Sequence, residues 1–160
     1  QPKTNTTTVK KGTKFTTPAG TYIVTSTTTK KESITFVRVR KTSIKSLTIP
    51  DTVKYKNVTY KVKAIQAKAV KGCTKLTKVT IGKNVTAIGS NAFYKCKKLK
   101  SIVFRGKNAP SIGKNAFKSI ASKAVFKVPR AVSTKQWNAY KKKLTSKTGF
   151  QKKKMKLKKS

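Results

Sequence analysis

Side chains that hold or move protons are scarce in this chain of 160 residues. It has no histidine, and its acids are Glu32 and Asp51 alone. Neither a carboxylate dyad, a Ser-His-Asp triad nor a metal cluster can be assembled from that set. A Schiff-base lysine needs a desolvated amine, and no position in the sequence is marked as one. The chain therefore reads as non-catalytic and without a cofactor. What it offers is ammonium chemistry: 41 residues are Lys or Arg, all lysine except Arg38, Arg40, Arg105 and Arg130, and the formal net charge is +39.

Lysine is a hydrated point charge, whereas arginine carries the planar fork that reads bases or grips phosphate with two hydrogen bonds. A lysine surface attracts polyanions by releasing their counterions and does so without sequence readout. Aromatic residues fall mostly at core positions, so base-stacking platforms are not evident. The charge has a cost, since two ammonium groups about 5 Å apart in water repel by about 0.8 kcal/mol before screening. Adenine-rich codons would enrich lysine, but they would not remove acids so thoroughly; near-absence of carboxylates is read as a selected surface property.

The element that must position these groups is a repeat. Ala64-Ile65, Ala69-Val70, Cys73 and Leu76 stand 23 residues before Ala87-Ile88, Ala92-Phe93, Cys96 and Leu99. Ile102 and Phe104 follow Val79 and Ile81 by 23, and Ile112-Gly113 with Asn115-Ala116-Phe117 follow Ile88-Gly89 and Asn91-Ala92-Phe93 by 24. Apolar residues returning on a fixed period predict stacked coils that share one core, a solenoid. Each coil opens on an apolar, variable, apolar strand: Leu47 and Ile49, Val79 and Ile81, Ile102 and Phe104, Phe126 and Val128. Period two turns these inward and Thr48, Thr80, Val103 and Lys127 outward on one parallel sheet. The segments around Ala92-Phe93 and Ala116-Phe117 are expected to be single tight helical turns that drop a ring into the core. Cys73 and Cys96 share a slot, and coils about 4.8 Å apart lie within disulfide range. A free, stacked, buried pair is the favoured reading, because Ile120 takes the slot next.

The pattern V-x-I-x-x-x-V-x-x-I-G-x-x-A-F-x-x-C-x-x-L, as it stands over residues 79–99, resembles the BspA-like leucine-rich repeat of bacterial surface and secreted proteins. The resemblance covers residues 47–128, with Val70 in place of Phe and Ile120 in place of Cys in the weaker copies. It implies a non-catalytic extracellular binding or adhesion module and brings no catalytic residues.

The expected organisation is a mainly β chain with short helical turns: a solenoid of 3–4 coils with parallel strands, an N-terminal hairpin cap and a C-terminal helix cap. Residues 1–11 read as a disordered tether and 12–45 as the hairpin cap, with strands over 21–25 and 33–39. Residues 46–129 form the solenoid; its first coil carries a hairpin over 53–62 that turns at Lys56-Asn57. Residues 130–150 form a capping helix, started by a capping box at Ser133-Thr134-Lys135-Gln136, laying Trp137, Tyr140 and Leu144 over the last coil and closed by Gly149. Residues 151–160 read as a basic tail. No run of 18 apolar residues could span a membrane. The opening Gln1-Pro2-Lys3 is expected to be a mature or excised end, with export inferred. The triplets at Asn5, Asn57 and Asn84 match the glycan acceptor pattern, but chance explains them as well in a Thr-rich chain.

Stacking would bring scattered charge into rows, Lys75 above Lys98, and Lys71 two coils from Lys118 with Tyr94 between. The expected polyanion-binding residues are Lys68, Lys71, Lys75, Lys78, Lys95, Lys97, Lys98, Lys100, Lys114, Lys118 and Lys123, with Lys152, Lys153 and Lys154 of the tail. The expected partner is an anionic polymer, whether teichoic acid, nucleic acid or sulfated glycan. A rival reading is an adhesin that grips a host or matrix protein through the outward sheet face and the hairpin bearing Tyr55 and Tyr60. A third is a self-assembling surface protein, which +39 opposes in favour of a monomer.

Overall fold

Alternating β-branched and aromatic residues form many short strands, and the computed structural model describes the chain over residues 9–160. In chain order they are β1 (Lys14–Thr16), β2 (Gly20–Ser26), β3 (Ser33–Val39), β4 (Ser46–Ile49), β5 (Thr52–Tyr55), β6 (Val58–Ile65), β7 (Lys78–Ile81), β8 (Ala87–Ile88), β9 (Ser101–Phe104), β10 (Ser111–Ile112), β11 (Val125–Val128) and β12 (Lys156–Lys159). Helix α1 (Thr134–Lys143) and a 3-10 turn (Ser146–Thr148) lie between the last two.

The chain alternates between two sheets. One has seven strands in the order β1-β2-β3-β6-β8-β10, with β5 paired to β6; the other has five in the order β12-β11-β9-β7-β4. From β3 onward the pairs linking successive passes are parallel. In the five-stranded sheet Leu47, Val79, Ile102 and Phe126 share a register position and point into the core, while Thr48, Thr80, Val103 and Lys127 share the outward one. Ile65 and Ile88 are buried in the same core, and Ile112 packs against it. Phe93 stacks on Phe117 at 5.3 Å, and Phe117 meets Phe126 edge-on at 5.0 Å.

The expected helical turns are corrected. Lys68, Asn91 and Asn115 occupy one position in successive passes with φ of 63°, 58° and 57°, and Gly72, Lys95 and Ser119, four residues on, are left-handed as well. A left-handed residue breaks a right-handed helix, and Asn tolerates it best after Gly. What forms is a series of β-turns, closed for example by Tyr94 N–H donating to Asn91 O at 3.1 Å and Lys118 N–H to Asn115 O at 3.1 Å. Passes approach so closely here that a Cβ on Gly89 would lie 2.3 Å from Ala67 N, and one on Gly113 2.4 Å from Ser90 N. Only glycine fits beneath the pass above it.

The hairpins form where alternation predicts them. Tyr55 pairs with Val58, and Lys56 and Asn57 turn with φ of 46° and 63°, the two positive values a type I′ turn requires. The first hairpin is larger than expected, since β1 adds to β2, and β3 continues into the parallel sheet. The tether expected over 1–11 falls mostly outside the described residues, but Val9 packs against the core.

Two C-terminal boundaries also change. Ser133 caps α1 as expected, accepting from Gln136 N–H while Gln136 Oε1 accepts from Ser133 N–H at 2.9 Å. The helix stops at Lys143, however, and Gly149, with φ of 93°, closes the 3-10 turn instead. The 3-10 turn joins the stacked β-turns through Asn115 N–H to Lys147 O and Phe117 N–H to Thr148 O, both 2.8 Å. The expected basic tail contains strand β12, parallel to β11 with Phe126 opposite Leu157 and Lys127 opposite Lys158. Met155 is buried and Leu157 packs on the core, so two apolar residues at alternate positions suffice to seat a strand whose lysines stay in water.

Candidate polyanion-binding surface

Every lysine expected to bind a polyanion is exposed. Among the described residues the ion pairs are Arg105 to Asp51 at 3.6 Å and Lys83 to Asp51 at 3.9 Å, so no carboxylate neutralises any of those lysines. Asp51 is a structural clamp. Its Oδ1 accepts Lys83 N–H at 2.8 Å and its backbone carbonyl accepts from Val62 N–H and from Asn84 Nδ2, so it ties neighbouring passes together.

The rows are sparser than a continuous lysine lattice. Gly72 N–H to Tyr94 O and Lys95 N–H to Lys118 O fix the offset that lines up Lys71, Tyr94 and Lys118, and the ammonium groups of Lys71 and Lys95 lie 5.8 and 5.4 Å from the Tyr94 ring. The same offset holds through Lys78 opposite Ser101, so Lys75 and Lys98 share a slot. Lys78, by contrast, has Ser46 and Ser101 beside it. Lys68 shares its slot with Asn91 rather than a lysine, Lys97 falls level with Thr74, and Lys100 N–H bonds Thr77 O.

Concentration comes instead from the C-terminal end. Lys118 and Lys152, Lys153 and Lys154 surround one open depression of about 680 Å³ with Asn115 and Gln151. Lys123 borders a second with Lys153, Lys154 and Lys156, and Lys114 a third with Lys142, Lys143 and Lys147. At the other end Lys68 and Lys71 join Arg38 and Arg40. Lys142, Lys143, Lys147 and Lys156 were missed by sequence reasoning. Met155-Lys156-Leu157 has the apolar, variable, apolar form of the earlier strands and would have brought in Lys156 and Lys158, opposite Lys127.

The remaining candidates are structural. Cys73 and Cys96 are buried free thiols, so no disulfide joins them. Cys96 Sγ donates to Val70 O at 3.1 Å, and its hydrogen bond with Cys73, together with burial, pushes the Cys96 thiol up. Tyr60 is buried, with burial and then the Glu32 carboxylate raising its phenol, and Tyr55 stacks on Phe15 at 4.1 Å. Tyr60 therefore has no surface to offer a protein partner, which corrects its expected role as an adhesive group, whereas Tyr55 stays half-exposed beside its stack. Among the described residues no helix is long and apolar enough to cross a membrane.

No curated protein matches the chain. Among solved structures it is similar to a leucine rich cell surface protein from Faecalibacterium prausnitzii A2-165, with 24% identity and a TM-score of 0.57 over 72% of this chain. The likeness extends to 33% of that protein, so the chain spans about a third of its length and the match speaks to the fold alone. The BspA type leucine rich repeat region matches residues 32–160 in six copies, reaching beyond the 47–128 legible by eye and including β12. The chain belongs to the BspA-type leucine-rich repeat family.

Proposed function

We propose that this chain is a non-catalytic extracellular binding module, a capped solenoid that holds anionic polymers electrostatically. The observation that carries the reading is the C-terminal surface. Lys118 meets Lys152, Lys153 and Lys154 around one depression, Lys123 meets Lys153 and Lys154 around a second, and Lys114 joins Lys142, Lys143 and Lys147 at a third, with no acidic side chain after Asp51 in the sequence. A rigid backbone holds these ammonium groups close against their own repulsion, which a polyanion relieves while releasing its counterions. Family membership and the cell-surface relative support an exported setting. Teichoic acid, nucleic acid and sulfated glycan all have the required chemistry, and a lysine-dominated surface does not choose among them by base readout.

Retention on immobilised heparin and on DNA across ionic strength tests the reading. Strong retention near 50 mM salt that collapses by several hundred millimolar is expected. Retention indifferent to salt, or none at low salt, overturns it.

A further inference from the structure

One groove does not fit a purely electrostatic surface. Between α1 and β12 lies an open cleft of about 360 Å³ lined by Trp137, Leu144, Phe150, Met155 and Leu157, with Lys141 and Lys152 completing the lining. Leu144, Phe150 and Met155 are buried, while Trp137 and Leu157 are half-exposed, so the floor is fixed and the apolar walls meet water. Lys159 Nζ lies 5.7 Å from the Trp137 ring centroid and donates to Val132 O at 3.4 Å.

The lining dictates what would fit. It holds no carboxylate, amide or hydroxyl side chain, so no side-chain acceptor is present to take the hydroxyl protons of a sugar ring. Apart from the Trp137 indole N–H, its polar side-chain groups are the ammonium groups of Lys141 and Lys152, which favour an anion. An occupant must therefore be apolar along its body and negative at one end. At about 30 Å³ per water-sized heavy atom, the cleft takes roughly a dozen such atoms. We propose that the groove between α1 and β12 binds a medium-chain fatty acid, its alkyl chain along Trp137, Leu144, Met155 and Leu157 and its carboxylate at Lys141 and Lys152. The site goes beyond polyanion binding and does not depend on it.

Trp137 is the single tryptophan of the chain, so its fluorescence reports this groove directly. Decanoate is titrated below its micellar concentration against the whole protein, with decanol as the uncharged control and phosphatidylglycerol vesicles as a separate arm. A saturable blue shift at one decanoate per chain is expected, with decanol at least tenfold weaker. Lys141→Gln with Lys152→Gln should reduce decanoate to the level of decanol. Leu157→Asn, on a half-exposed edge-strand residue, should weaken both ligands at least fivefold and leave heparin retention unchanged. No saturable shift overturns the proposal, as does binding of many decanoates per chain that the variants do not alter. A shift with vesicles but not with free decanoate also overturns it, in favour of an anionic membrane.

Discussion

The two ends of this molecule solve the same packing problem with different electrostatics. At the N-terminal end antiparallel hairpins extend the seven-stranded sheet around a Phe15–Tyr22–Tyr55 cluster, and both acids are there, with Asp51 bridging to Lys83 and Arg105. At the C-terminal end lysines from several passes converge without a counter-charge, and Phe93, Phe117, Phe126 and Phe150 pack beneath them. The difference teaches where stability comes from: burial holds the basic end together against repulsion, so its surface charge is free for a partner. Burying a Phe contributes about 1.5–3 kcal/mol, against a fraction of that for each screened ammonium pair.

The contrast breaks first at its core. Phe117→Ala leaves a cavity between Phe93 and Phe126 and should cost about 3–5 kcal/mol in denaturant unfolding. Asp51→Ala should cost about 0.5–1.5 kcal/mol, by losing the hydrogen bond to Lys83 N–H at the N-terminal end. A loss well below about 0.5 kcal/mol, under the usual worth of one hydrogen bond, would mean that the one clamping acid is dispensable.

Alkaline pH acts on tyrosines at both ends. Burial pushes the Tyr22 phenol up to about 12, and it raises Tyr140, whose hydroxyl donates to Gly106 O at 2.6 Å. A phenol that holds its proton more tightly when folded stabilises the fold fully below the unfolded value of about 10, and that stability fades as pH rises toward 12. Absorbance titration of the phenolates should accordingly show Tyr22 and Tyr140 ionising late, together with unfolding. The smallest effect sharpens the contrast most: raising salt from about 50 to about 500 mM should increase amide protection more in β9, β11 and β12 than in β2 and β3.

Much of this was legible in the residues. Alternation across Lys56-Asn57 and the Ser133–Gln136 box specify their structures locally, and the returning Ile and Phe positions mark the shared core. The turns were misread because a ring at Phe93 or Phe117 suits a helical turn equally, and only the backbone shows Asn91 and Asn115 to be left-handed. Strand β12 was hidden by its own lysines: charge dominates residues 151–160, and the partner that makes Met155 and Leu157 core residues lies some thirty positions upstream in β11. Exposure of the candidate lysines could be read from sequence. Their grouping could not, because Lys118 meets Lys152, Lys153 and Lys154 only after the 3-10 turn docks on the stack.

The central claim is that clustered lysines, more than net charge, hold the polyanion. It is tested by the slope of log affinity for heparin against log salt in two variants of equal charge. Replacing Lys118, Lys152, Lys153 and Lys154 with Gln should flatten the slope by about 3, roughly 0.7–0.9 for each ammonium group removed from the polymer's path, whereas replacing Lys30, Lys31, Lys54 and Lys56 should change it by less than about 1. Equal flattening by the two sets would contradict the claim and leave diffuse charge as the whole explanation.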